Sequence, residues 1–442
     1  MPRTLTAGRS RQLTARRLSI NALVDNLVFA LSGLAALWLA WLVLSETLSV
    51  GWYLVPFFVL FWLMLAYLVL PRVHRILTAI YVPDYFIGRA RTSDGLLGDP
   101  INLAIEGGEA QIHAAMTGAQ WIRADEVTLR SSWKIITSTV LRRSYDEAPV
   151  SPLLLFGRQQ DLAYQQEVAG NPAKRHHVRF WRCPEGWLLP GGYKADWLAA
   201  GTFDRAVGFS LFTLQITHKI DADTDVERDH IVATLVNSHP EVSVRTIKDF
   251  STGYHSRNGG GDTIETDGDL PVVDVSNVAA GEMPVAEDSE TRLAARERRR
   301  PVSTTLGVLL MVVRVVVGVV TIALIVADRK QILAEASVTL TGSNGAAVDL
   351  VVTIIVVLTA VGVVLYLGLA VLIFRGSNWA RIAAMAFSVL LILISAVDFF
   401  NGQSVTLRQD IFGLPVDILV LLALSARHSS LWARREASRR AR

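Results

Sequence analysis

The chain has 442 residues, 51% of them apolar and 19% charged, with 43 Lys and Arg against 40 Asp and Glu. An average soluble protein carries about 25% charged residues, so this depletion points to segments immersed in lipid. A single cysteine, Cys183, rules out an internal disulfide framework and is compatible with a reducing compartment.

Residues 1–23 form a basic N-terminus containing Arg3, Arg9, Arg11, Arg16 and Arg17. Apolar runs follow over 24–45 and 51–70. A helix rises 1.5 Å per residue, so runs of about 20 residues cross a hydrocarbon layer about 30 Å thick, and residues 24–70 are predicted as a transmembrane hairpin. The first run has no small-residue cleavage site behind it and is long for a signal-peptide core, which predicts a retained anchor. Four more runs, 305–327, 349–374, 379–400 and 411–427, predict a four-helix membrane domain over 305–427. A basic tail over 428–442 closes the chain, with Arg434, Arg435, Arg439, Arg440 and Arg442. The predicted fold class is an α-helical multi-pass transmembrane protein, six spans in a two plus four arrangement, with an inserted α+β soluble domain.

The short loops set the expected threading. Residues 45–51 carry no Lys or Arg, whereas 375–381 carry Arg375 and Arg381, so the positive-inside rule puts both termini and the insert in the cytoplasm. Arg329 and Lys330 fall on an outer loop in this scheme and count against it.

The insert, 71–275, mixes strand and helix patterns without the regular spacing of a doubly wound sheet. Strands are predicted over 101–105, 152–156, 176–181, 209–217, 242–247 and 272–275, and helices over 108–119, 125–141 and 226–237. Residues 276–304 are predicted as a disordered linker, because a stretch rich in Ala, Glu and Ser buries too little apolar surface to fold.

Candidate chemistry concentrates in two places. On the strand 176–181, alternation puts His176 with Val178 and Phe180 on one face, and His177, Arg179 and Trp181 on the other. Further on stand His218, Asp221, Asp223, Asp229 and His230. Imidazole and guanidinium groups hold phosphate, while imidazoles with carboxylates hold divalent metals. The catalytic candidates are therefore His176, His177, Arg179, His218 and Asp221, and the metal candidates His218, Asp221, Asp229 and His230, with a divalent metal as a candidate cofactor only. The structural alternative is a helix start, with Thr224 and Glu227 spaced as a capping box. The Asp221, Asp223, Asp225 series is not a calcium loop, since Val226 and Val232 stand where Gly and Glu are required. The glycine run in 256–262 lacks the ending of a phosphate-binding loop and reads as a turn, with a phosphate cradle as the alternative. No Gly-x-Ser-x-Gly elbow or His-Glu-x-x-His helix is present.

Within the membrane, Arg314 sits near the middle of the third predicted span, where a lone charge is costly. Matching depths predict an ion pair with Asp417, with Asp398 in reserve. The basic tail lacks aromatic interleaving after Trp432, so anionic headgroups rather than nucleic acid are its expected partner.

The strings Pro149-Val-Ser-Pro-Leu-Leu-Leu-Phe-Gly-Arg-Gln-Gln-Asp161, His176-His-Val-Arg-Phe-Trp181 and Thr217-His-Lys-Ile-Asp221, followed by Glu227-Arg-Asp229, resemble the LssY C-terminal domain family over roughly residues 95–275. This is a bacterial family of unsettled activity. Some relatives join the domain to a membrane phosphatase of the lipid-phosphate type, but its Pro-Ser-Gly-His string is absent here. The resemblance implies a bacterial inner-membrane protein near lipid metabolism, without the phosphatase chemistry.

Together these readings favour a binding or accessory module in cell-envelope or lipid-related processes, with membrane lipids and an envelope protein as partners. The alternative is a metal-dependent or phosphate-binding hydrolase acting on a lipid or phosphoester at the membrane surface. A transporter is least supported, because only Arg314 offers a midplane polar group.

Overall fold

The computed structural model describes residues 20–50, 55–82, 85–124, 150–168, 171–251, 257–280, 299–331, 345–402 and 413–440. The predicted helix over 125–141 and most of the predicted linker lie outside the described residues. The chain divides into two compact units, one of residues 1–42 and 300–442, the other of residues 43–299.

The first helix, α1, spans Ile20–Val50. In the second unit, helix α2 (Val55–Met64) runs through a π turn (Leu65–Val69) into helix α3 (Leu70–Tyr81), so the helix does not stop where the apolar run ends at Leu70. Pro71 is tolerated because it stands in the first turn after a wide π turn, where a missing N–H costs little.

The rest of this unit is a sheet domain. Its strands are β1 (Arg89–Arg91), β2 (Leu97–Pro100), β3 (Leu103–Glu106), β4 (Ile122–Arg123), β5 (Leu154–Leu155), β6 (Arg158–Gln159), β7 (Leu162–Val168), β8 (Asn171–Arg182), β9 (Trp197–Phe209), β10 (Ile216–Ile220), β11 (Ser243–Ile247) and β12 (Leu270–Asp274). Helix α4 (Glu109–Gly118) follows β3, and α5 (Thr224–Ser238) follows β10. The large sheet runs β11-β12-β3-β9-β8-β7-β4, with β10 added on β9, and a small sheet runs β2-β1-β5-β6. In the large sheet only β12 and β3 pair parallel, so the domain is α+β as predicted.

Alternation along β8 separates two cores. Val178 and Phe180 pack with Tyr164, Trp121, Ile231 and Leu235 under α4 and α5. Trp181 packs on the other face with Leu198, Ala200, Leu153 and Leu155, against the small sheet. Strand β9 carries Gly201 at the helix crossing, where a Cβ would stand 2.3 Å from Ile231 Cδ1.

Strand prediction fails in two places. The predicted strand 209–217 is the turn of a hairpin, with β9 ending at Phe209 and β10 starting at Ile216. The predicted strand 152–156 shrinks to the two residues of β5. Strand β9 itself escaped prediction, because Ala, Gly, Asp and Arg have little intrinsic strand preference. Pairing with β8 along one edge and with β3 and then β10 along the other overrides that preference.

The other unit holds α1 up to Leu42 together with α6 (Val302–Ala327), α7 (Gly345–Phe374), α8 (Asn378–Phe400), α9 (Leu414–Leu424) and α10 (Arg427–Arg440). Among the described residues five helices are long and apolar enough to cross a membrane, Ile20–Leu48, Pro56–Tyr81, Val302–Ala327, Ala346–Phe374 and Asn378–Phe400, and a sixth if α9 and α10 count as one broken span. The predicted sixth span, 411–427, needs correction. Helix α9 has 11 residues, about 16 Å at 1.5 Å per residue, and a 61° bend separates it from α10. Beyond the bend, Arg427, Arg434, Arg435 and Arg439 make α10 far more polar than α9.

Charged pairs tie this unit. Arg314 Nε lies 3.4 Å from Asp417 Oδ1. Arg381, counted in the sequence as a loop charge, instead lies in the first turn of α8 with its side chain 1% exposed. Its guanidinium donates to Asp25 Oδ1 of α1 at 2.5 Å, to Asn378 Oδ1 and to the Leu424 carbonyl at the end of α9. Arg434 of α10 bonds the same Asp25 carboxylate. Small hydroxyls fill the remaining contacts, with Ser425 Oγ 3.1 Å from Ser32 Oγ and Ser303 Oγ 2.8 Å from Ser429 Oγ.

Candidate functional site

A cavity of about 170 Å³ opens on the face of the large sheet opposite α4 and α5. Strand β8 supplies Arg175, His177 and Arg179, β9 supplies Asp204, β10 supplies His218, and Asp99 and Asp262 complete the charged lining. The pairing register, Arg175 with Asp204 and His177 with Thr202, puts these side chains on one face of the sheet.

The floor is a chain of buried polar groups. Arg179 Nη1 donates to Asp99 Oδ2 at 2.5 Å, and Nε donates to the Ser151 carbonyl at 3.2 Å. Thr202 Oγ1 lies 2.7 Å from His177 Nε2 and 3.5 Å from Asp99 Oδ2, and His177 Nδ1 lies 3.4 Å from Asp204 Oδ2. Asp204 Oδ1 is buried without a hydrogen-bond partner.

Burial dominates the electrostatics. It pushes the Asp204 carboxyl up to about 7, with Arg179 pulling the other way and Asp99 adding to the rise. His177 is held well below 6.5, first by burial and then by Arg179, His218 and Arg175. A neutral imidazole beside a carboxyl that titrates near neutrality can pass one proton between them. Thr202 stands in serine-triad order with His177 and Asp204, but it is fully buried and off the cavity wall, so it orients the imidazole instead of attacking a substrate.

The mouth carries His218 and Arg175. Solvent reaches the His218 ring, yet protein surrounds it on most sides, and this burial together with Arg175 and Arg179 lowers its pKa. Among the described residues, neither the His218 ring nor Arg179 Nη2 makes a hydrogen bond. Lys219 Nζ lies 3.1 Å from Asp262 Oδ1 at the rim.

The candidates therefore divide. His177, Arg179 and His218 share the cavity. His176 lies on the other face, 2.6 Å from Glu227 Oε2 and stacked on His230 at 4.2 Å between ring centres. His230 Nε2 is 3.3 Å from Gln166 Oε1. Asp221 accepts from the Asp223 backbone N–H at 3.4 Å, and exposed Asp229 bonds Arg228 at 2.8 Å. Among the described residues no three His, Cys, Asp or Glu side chains are grouped to hold a metal ion.

Two local readings change. Asp223, not Thr224, caps α5, accepting from the Asp225 and Val226 N–H groups, which frees Glu227 to turn inward to His176. In the glycine run, Gly259 N–H bonds the Leu97 carbonyl, Gly261 N–H the Asn258 carbonyl, and Gly260 and Asp262 N–H the Asn258 side chain. With those N–H groups spent on the turn itself, it is not a phosphate cradle. Burial holds the Cys183 thiol up at about 12, so it is no nucleophile at neutral pH.

Asp99, Thr202, Asp204 and Asp262 were not singled out from the sequence. No local motif marks them. Only the β8 to β9 register, which brings position 204 opposite position 175, reveals Asp204.

A helical architecture with membrane-length apolar segments and one α+β insert carrying a polar cavity defines the class. The family model described as LssY C-terminus matches residues 79–270, the central block of the chain. No curated protein and no solved structure matches the chain.

Proposed function

We propose that the protein is a membrane-tethered binding module of the bacterial inner membrane. Its sheet domain, on the cytoplasmic side, holds a small ligand bearing a phosphate group in the cavity between β8, β9 and β10. One observation carries this reading: Arg175, Arg179 and His218 converge on a cavity whose buried Asp204 has an unpartnered oxygen. A guanidinium offers five N–H donors in a fork matched to phosphate oxygens, and a protonated Asp204 offers one more.

Size narrows the ligand. Drug-sized ligands occupy roughly 300–1,000 Å³, so about 170 Å³ suits a phosphate or a short headgroup. The helices anchor the module, and basic α10 supports a cytoplasmic tail against anionic headgroups. A second reading, a hydrolase of phosphoesters, rests on the His177 and Asp204 pair as an acid–base couple within the same cavity.

The test is calorimetric titration of the full chain in micelles with inorganic phosphate and with a short-chain phosphatidic acid. Binding of either, weakened at least tenfold by Arg175→Gln or His218→Ala, supports the module. Preference for the lipid identifies the headgroup as the source. No heat with either probe refutes it, and release of phosphate from the lipid, abolished by His177→Gln, favours the hydrolase.

A further inference from the structure

The turn between β9 and β10 exposes a cluster of large apolar side chains. Leu211 is 85% exposed, Ile216 63% and Phe212 54%. A soluble surface rarely clusters side chains in this way. The turn is fastened to the membrane-length helix formed by α2 and α3, and the fastening explains itself chemically.

Within the π turn, the Leu70 N–H reaches back to the Leu65 carbonyl. The next carbonyl, that of Ala66, would take its partner from position 71 in the same pattern, but Pro71 has no N–H. Gln215 supplies the missing donor, its Nε2 lying 2.7 Å from the Ala66 oxygen. Trp62 returns the favour, donating Nε1 to the Leu214 carbonyl at 3.0 Å. Phe212 stacks on His74 at 4.8 Å, with the two rings 4° from parallel.

We infer that the β9 to β10 turn is a wedge inserted into the bilayer leaflet, its Leu211, Phe212 and Ile216 side chains in contact with acyl chains. The inference rests on the reading that the α2 to α3 helix crosses the membrane. Phe57, Phe58, Leu60 and Leu63 of that helix are exposed apolar side chains that hydrocarbon would cover, and the wedge is bonded to the same segment. Ala66 and Trp62 precede the end of the apolar run at Leu70 by four and eight residues, so the contacts lie about 6 and 12 Å beneath it at 1.5 Å per residue. The Ala66 contact falls within the depth of about 5–10 Å at which interfacial elements bury their apolar faces, and the Trp62 contact lies just beneath it.

An irregular turn survives in hydrocarbon only if its backbone is satisfied. Here the Ser210 N–H bonds the Gln215 carbonyl at 2.9 Å, the Thr213 N–H bonds Ser210 Oγ at 3.2 Å, and Trp62 covers the Leu214 oxygen. The wedge also sets the position of the cavity. A strand rises about 3.3 Å per residue, so His218, three residues beyond Gln215, stands about 10 Å along β10 from the helix.

The experiment places an environment-sensitive fluorophore on single cysteines of the full chain in lipid nanodiscs, in a Cys183→Ser background. Leu211→Cys and Ile216→Cys report the wedge, Leu60→Cys reports the helix, and Tyr193→Cys, 45% exposed in the sheet domain, reports water. The expected result is blue-shifted emission at 211, 216 and 60, quenched by lipids brominated in the acyl chains, with iodide quenching confined to 193. Iodide quenching at 211 and 216 with lipid quenching at 60 overturns the wedge alone. Iodide quenching at 60 as well overturns the membrane reading beneath it. Shielding of 211 and 216 from both quenchers shows a protein partner on the turn and overturns the lipid contact.

Discussion

Replacing Asp204 by Asn removes a carboxyl that the fold keeps about half protonated near pH 7. Its pKa rises from 3.8 to about 7, and at 1.36 kcal/mol per pH unit this corresponds to about 4 kcal/mol. Between those two values the folded chain binds a proton that the unfolded chain releases. Stability from this group is therefore fully present below about pH 4 and is lost as pH rises through about 7. His177 acts oppositely, since its lowered pKa makes stability rise with pH up to about 6.5. Comparing the two proteins at each pH removes most of that opposing component. Denaturant unfolding of the full chain in micelles, followed by tryptophan fluorescence, should show Asp204→Asn gaining about 3–4 kcal/mol on wild type between about pH 4 and about pH 8. A gap that stays constant over this range would refute the burial argument for Asp204.

Arg179→Met strands the Asp99 carboxylate, whose side chain is 10% exposed, and should cost about 3–5 kcal/mol in the same assay, with Arg179→Met/Asp99→Leu recovering most of the loss. A double variant no more stable than the single one would contradict the pairing. In the helical unit, Arg381→Met should lower the melting temperature in micelles more than Arg314→Leu. The Arg381 side chain is 1% exposed and holds partners on α1 and α9, while that of Arg314 is 30% exposed. Adding Asp417→Leu to Arg314→Leu should restore stability, and equal instability of single and double variants would remove any role for that pair in packing.

How far the sequence reveals the fold depends on where the deciding interaction sits. Apolar runs of membrane length are local, so five of the long helices were legible to within a few residues, except that the second continues past Leu70. The bend after Leu424 was not, because an apolar run of 11 residues abutting Ser425 and Ala426 reads as longer than it is. Alternation correctly separated His176 from His177 and Arg179. Yet excluding Asp221, Asp229 and His230 from the cavity needed the tertiary arrangement, which sequence spacing does not contain. Asp204 and Asp99 were invisible for the same reason, since their partners lie 27 and 80 positions away. Arg381 looked like a loop charge because its partner, Asp25, lies 356 positions away.

The claim that the cavity takes a phosphate through a protonated Asp204 has a direct signature in proton linkage. Calorimetric titration of the full chain with inorganic phosphate at about pH 8, repeated in buffers of different ionisation enthalpy, reads the protons taken up on binding. The account predicts uptake approaching one proton in wild type and none at this site in Asp204→Asn. Phosphate binding with the same proton count in both proteins would contradict it.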